Sequence, residues 1–253
     1  MVPSPYKDSS PRPRFARDLP SPVPLHPLDG SLTEQRAAIF RQVLARRCGR
    51  LVVVLEECHD PHNATAVLRT CDCFGLHRVH VVAGRTSFKV NSRISQGSHR
   101  YLDLRVHADI AEAYADLRAD GFTILVSDLA AEAEVGPDCL AARLQAAPLA
   151  LVFGSEGFGI SDAARSGADG SFLIPMAGFA QSLNLSVSVA VCVYALRAAA
   201  LSADAPGDLD PTAQIAWYDH WVRRQRPGLA ERLEQDRHGQ DLACFGGPPS
   251  GSR

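Results

Sequence analysis

The chain has 253 residues, 46% of them hydrophobic, enough to bury a full core in one domain or two, and its formal net charge is −2. That balance excludes a protein held to nucleic acid by bulk positive charge, so such a partner would need a local basic face. No run approaches about 18 consecutive apolar residues and the first residues lack the apolar stretch of a signal peptide, so no membrane span and a cytoplasmic protein are expected.

Residues 1–30 hold eight of the seventeen prolines and show almost no apolar periodicity, which predicts an extended or disordered arm. Its Lys7, Arg12, Arg14 and Arg17 suit RNA, although a solvated tail is the plainer reading. A capping box at Ser31 and Glu34 is expected to start a helix over 34–47, with Ala38, Phe40, Val43 and Leu44 on its apolar side. Leu51 to Leu55 is a continuous apolar run of strand length, as in a parallel sheet covered on both faces. Helices over 63–74 and 111–119 and strands over 79–82, 123–126, 149–153 and 171–174 follow, with a helix beginning at Asp162. A long apolar helix over 186–201 closes the core. Strand–helix alternation of this kind predicts an α/β fold with a mainly parallel sheet and helices on both faces. Beyond Ser202 a linker, a polar helix over 212–226 and a Gly/Pro/Ser tail read as an appendage.

Seven scattered cysteines do not make a disulfide framework, so reduced and mostly buried thiols are expected. Lysine occurs only at Lys7 and Lys89, leaving arginine as nearly all of the positive charge. Arginine gives phosphate planar, bidentate contacts that lysine cannot, which is weak support for an RNA partner.

Three segments interrupt the alternation with glycines and polar residues at strand ends, where open α/β sheets bind ligands. In the first, residues 56–63, Asn63 stands where a loop becomes a helix and could simply be its N-cap. Arg69 lies mid-helix and suits either an anion site or a structural ion pair. The second, residues 153–161, places Glu156 among Gly154, Gly157 and Gly159. It lacks the ending of a P-loop and the spacing of a Rossmann fingerprint, and suits a tight turn against a ligand or a purely structural one. In the third, residues 174–188, Ser182 and Asn184 precede the long apolar helix, and capping explains only one of them.

In this order and spacing, HDPHNATAVLRTCDCFG, FGSEGFGIS and IPMAGFAQSLNLSVSVA resemble the three motifs of the TrmH (SpoU) family of SPOUT-class RNA methyltransferases. The likeness runs from about Glu34 to Leu201. It implies a fold ending in a deep trefoil knot, about residues 149–200, with a domain over 31–202 and extensions over 1–30 and 203–253. It implies S-adenosylmethionine as methyl donor, held by Ser127, Gly154, Ile174, Met176 and Leu183. It places Asn63, Arg69, Glu156, Ser182 and Asn184 at the catalytic positions. It implies a homodimer whose sites are completed near the partner's first motif, and a ribose 2′-oxygen of RNA as methyl acceptor. The helix before the first strand, the PHN-x5-R form of the first motif and the C-terminal helix look most like the branch that modifies a D-loop guanosine of tRNA. Ribosomal RNA is the alternative substrate, and a non-catalytic RNA-binding protein the alternative function.

Candidate RNA contacts are Arg46, Arg47, Arg50, Arg85, Lys89, Arg93, His99, Arg100 and Arg105, with Arg223, Arg224 and Arg226 behind them. A metal site among Cys58, His59, His62, Cys71 and Cys73 is disfavoured, because Cys71 and Cys73 would point to different faces of a helix and zinc-type spacing is missing. No metal is expected.

Overall fold

The computed structural model describes residues 15, 17–84, 97–129, 133–225, 227–229 and 231. Lys7, Arg12, Arg14, Arg85, Lys89, Arg93, Arg226 and Cys244 lie outside the described residues. Two compact units result, one of Arg46–Leu209 together with residues up to Pro20, the other of Ser21–Ala45 with the chain from Asp210 onward.

The larger unit is a seven-stranded sheet, parallel at every pairing: β1 (Leu51–Glu56), β2 (Arg78–Val82), β3 (Asp103–His107), β4 (Thr123–Ser127), β5 (Glu134–Val135), β6 (Leu149–Phe153) and β7 (Gly170–Leu173), in the order β3-β2-β1-β6-β4-β7-β5. Between the strands run α2 (Pro61–Cys73), α3 (Ile110–Ala119), α4 (Pro137–Ala146), α5 (Asp162–Gly167) and, after β7, α6 (Leu185–Ser202).

The apolar run of β1 is buried along its whole length, and its alternation sorts two cores. Leu51, Val53 and Leu55 pack among residues of α2 and α6, including Val67, Leu68, Val189 and Val193. Val52 and Val54 pack among Ala113, Tyr114 and Leu117 of α3 and Ala164 of α5. Helices therefore cover both faces, as a parallel sheet requires. Two strands and one helix escaped the sequence reading. β3, an edge strand reading Asp-Leu-Arg-Val-His, carries too much polarity to stand out, β5 is two residues long, and α4 follows it directly.

Helix α6 is long and apolar enough to cross a membrane by length and composition. Here its inner face lies on α2 and α4, and the same face carries the buried Arg197, whose guanidinium donates to the carbonyls of Phe74 and Arg46.

In the smaller unit, α1 (Glu34–Leu44) packs against α7 (Pro211–Gln225) through Phe40 and Trp221, ring centroids 5.4 Å apart. The expected capping box does not form. Thr33 caps α1 by accepting from the Arg36 amide, while the Ser31 hydroxyl donates to the Leu28 carbonyl. The helix preceding the first strand therefore groups with the C-terminal helix rather than with the sheet. The proline-rich arm is also packed earlier than its composition suggests, since Leu19, Val23 and Leu28 are buried.

Candidate active site

Because all the strands are parallel, the C-terminal ends of β1, β4, β6 and β7 deliver their loops to one edge of the sheet. A cavity of about 490 Å³ opens there, within the roughly 300–1,000 Å³ typical of small-molecule sites. Ser127, Gly154, Ile174, Met176 and Leu183 all line it, as do Glu156, Ser182 and Asn184.

Asn63 is not the N-cap of α2. Asp60 takes that role, accepting from the His62 amide at 2.9 Å, and Pro61 occupies the first turn. The Asn63 side chain is therefore turned to other partners. Its Nδ2 donates to Glu156 Oε1 at 2.7 Å, and its Oδ1 accepts from Asn184 Nδ2 at 3.1 Å. Asn184 in turn caps α6, its Oδ1 accepting from the Ser186 amide at 2.9 Å and the Ser186 hydroxyl at 2.7 Å. One directional chain of hydrogen bonds thus runs from the start of α6 through both asparagines to the Glu156 carboxylate, joining all three segments.

The loop bearing Glu156 is held tightly. Ser155 and Gly159 exchange two backbone hydrogen bonds, at 3.1 and 2.9 Å, and Gly159 adopts φ +69°. A Cβ on Gly154 would overlap the Gly159 carbonyl and the Ile160 nitrogen, so only glycine lets the chain double back here. Cys58 Sγ stands 3.9 Å from Glu156 Oε1. Burial, with the charges of Glu156 and Asp60, pushes its thiol up to about 12, so it is protonated and no nucleophile.

Sequence reasoning missed Asp128, which lines the cavity directly after Ser127 and accepts from Arg165 at 2.6 Å. That hydrogen bond holds its carboxyl below the usual carboxylate range. Its place at a strand end beside Ser127 was the available signal.

Arg69 is not gathered into this cluster. It is exposed on α2 and does not line the cavity. Burial and the Asp72 charge push the Cys73 thiol above its ordinary range, and Arg69 one helical turn away partly offsets them. Cys71 is buried in the core while Cys73 is exposed, so the two do face apart.

The expected RNA contacts divide. Arg47 is fully buried, paired with Asp72 at 2.6 Å and donating to the carbonyls of Leu76 and Tyr101, so it is structural and has no surface to offer RNA. Arg46 pairs with Asp204 at 2.7 Å and stacks on Phe15, and Arg50 donates to the carbonyls of Leu144 and Gln145 at the end of α4. Arg105 pairs with Asp116 and Arg223 with Asp219. Arg100 and Arg224 are exposed. Two causes operate: the guanidinium groups of Arg47 and Arg50 satisfy carbonyls at helix ends and loops, while Arg46, Arg105 and Arg223 are held by neighbouring carboxylates.

The sequence profile of the SpoU rRNA Methylase family matches residues 50–194, more than half of the chain. A tRNA (guanosine(18)-2'-O)-methyltransferase of Thermus thermophilus is 37% identical over 195 residues, 76% of this chain and 98% of the relative. The enzyme of that name from Escherichia coli is 35% identical over 63% of this chain and 68% of its own length. Among solved structures, the A. aeolicus TrmH/SpoU tRNA modifying enzyme superposes with a TM-score of 0.68 at 26% identity, over 76% of this chain and 98% of that one. AviRb from Streptomyces viridochromogenes, in complex with AdoMet, gives 0.53 at 25% identity, over 62% of each chain. With its motifs tied to one cavity and its profile match spanning most of the sheet, the chain belongs to the SpoU methylase family.

Proposed function

We propose that this protein transfers a methyl group from S-adenosylmethionine to a ribose 2′-oxygen of tRNA, at a D-loop guanosine, as a cytoplasmic homodimer. The observation that carries the reading is the hydrogen-bond chain Asn184–Asn63–Glu156 at the rim of a cavity lined by all five expected cofactor positions. The cavity fits the donor chemically: a glycine approach at Gly154, apolar walls at Ile174, Met176 and Leu183, and hydroxyls at Ser127 and Ser182. S-adenosylmethionine supplies an electrophilic methyl group.

The protein's own task is to present a weak nucleophile and stabilise the charge that develops on it. Asn63, fixed at both ends by Glu156 and Asn184, is a preorganised amide for orienting the ribose. A guanidinium offers N–H donors and no acceptor, so we assign Arg69 the clamping of the adjacent phosphate and stabilisation of the reacting oxygen. Its absence from the cavity lining within one chain is explained if the partner's Arg69 serves each site. The exposed stripe Val187, Val191 and Tyr194 along α6 supplies an apolar face for that dimer. We also propose that residues 149–200 form the family's trefoil knot. The segment after β7 returns to line the same cavity as the loop after β6, which fits it.

The tRNA assignment rests on the near-complete coverage of the Thermus relative. A 23S rRNA (guanosine-2'-O-)-methyltransferase of Nitrosomonas europaea, 34% identical over 54% of its length, keeps ribosomal RNA as the second reading. Incubation with methyl-tritiated S-adenosylmethionine and bulk tRNA or ribosomal RNA, followed by mapping of the methylated nucleotide, separates the two. Label confined to ribosomal RNA would overturn the tRNA assignment, and label in neither would overturn the enzyme.

A further inference from the structure

Glu56 ends β1, belongs to none of the residues given a catalytic or cofactor role, and is only 5% exposed. A carboxylate is costly in such a place unless donors satisfy it. Among the described residues its donors come from Ser161: Oγ donates to Oε1 at 2.6 Å and the backbone amide to Oε2 at 3.1 Å. Ser161 meanwhile caps α5, its Oγ accepting from the Ala164 amide at 3.0 Å. That cap needs no carboxylate behind it, and an apolar residue would continue the buried run of β1 at less expense. Stability alone therefore gives Glu56 little reason to be acidic.

Its position gives a better one. Ser161 is the last residue of the loop that starts at Gly154 and carries Glu156. The near end of that loop is closed by the Ser155–Gly159 pair. The far end is closed by Ser161 on Glu56. Directly after Glu56 the chain turns through Glu57, at φ +48° with its amide donating to the Val82 carbonyl, and reaches Cys58 beside Glu156. The end of β1 thus holds the root of the segment bearing Asn63 and the far anchor of the segment bearing Glu156.

We infer that Glu56 is a positioning residue: acting through Ser161, it fixes the Gly154–Ser161 loop so that Glu156 stands in register with Asn63. Its kinetic consequence rests on the methyltransferase reading above. Its structural consequence does not.

The test compares Glu56→Gln, Ser161→Ala, their double variant and Ser161→Thr with the parent protein. Thermal midpoint, steady-state kinetics with tRNA, and amide hydrogen exchange over residues 155–161 are measured for each. Glu56→Gln keeps the size of the side chain but turns an amide donor toward the Ser161 donors. It is expected to fold, to lower kcat roughly 10- to 100-fold with little change in the KM for tRNA, and to speed exchange in the loop. Ser161→Ala should act alike, and the double variant should be no worse than the poorer single one, because both remove the same link. Ser161→Thr, which keeps the hydroxyl, should stay within about threefold of the parent. Parent-like kcat and exchange in Glu56→Gln and Ser161→Ala would overturn the inference, as would losses that merely follow the thermal midpoint and add independently. If the parent itself transfers no methyl group, the enzymatic reading fails, and loop exchange alone then decides whether Glu56 positions the loop.

Discussion

Asp60 and Asn63 are both suited to cap a helix, and only Pro61 and His62 separate them. Because Asp60 accepts the first-turn amide, Asn63 contributes nothing to capping and spends both ends of its amide on Glu156 and Asn184. The two roles can be pulled apart. Asp60→Ala is expected to lower stability by about 1 kcal/mol, the usual worth of an N-cap, as read by urea denaturation. Asn63→Ala is expected to change stability by under about 1 kcal/mol while reducing methyl transfer by roughly 100-fold or more. An Asn63→Ala protein that loses stability and activity together would restore the capping explanation.

At the scale of elements, arginine is used as mortar. Arg47 ties the start of β1's unit to the C-terminal end of α2 and to the short 3-10 turn Ser98–Tyr101, with its charge matched by Asp72. Arg47→Ala should therefore cost about 3 kcal/mol or more in denaturant unfolding. Arg100→Ala, on the exposed end of that turn, should leave stability unchanged and weaken tRNA binding in low salt only. Parent-like stability for Arg47→Ala would mean that the buried pair is dispensable. The edge of the sheet carries a second consequence. Burial, with Arg47 nearby, lowers His77 to about 4, and burial beside His107 lowers His80 to about 4. Both are neutral in the fold, whereas the unfolded chain takes up protons near pH 6.5. Their stability contribution is complete above pH 6.5 and is lost as the pH falls toward 4, amounting to a few kcal/mol in total. The thermal midpoint should drop steeply across that window, and His80→Gln should flatten the drop. An equally steep profile in that variant would place the acid sensitivity elsewhere.

For the molecule as a whole, the absence of Arg69 from the cavity lining makes a sharp demand. If each site borrows Arg69 from a partner, Arg69→Ala and Glu156→Gln proteins, each inactive alone, should recover activity when unfolded and refolded together. Half of the dimers would then be mixed, and about a quarter of all sites would be intact. No recovery, with mixed dimers demonstrated by mass, would confine each site to one chain. Val191→Glu should disperse the dimer in analytical ultracentrifugation if the α6 stripe is its interface.

Much of this protein was legible in its sequence, for a local reason. Hydrophobic period marks a strand covered on both faces, as at Leu51–Leu55, and polar residues mark the strand ends, as at Gly154–Ser161 and Ser182–Asn184. The ordered motifs therefore announced the sheet, the cavity positions and the family. Where meaning depends on what lies across space, the sequence was silent. Nothing local distinguishes the buried Arg47 from the exposed Arg100, and nothing local says that Asp60 frees Asn63. The polar edge strand Asp103–His107 gains its identity only from β2 beside it. The helix over 34–44 reads as part of the core until α7, more than 160 residues later, is seen to cover it. Side-chain chemistry and period are written residue by residue, while partnership is decided by which segments the folded chain brings together.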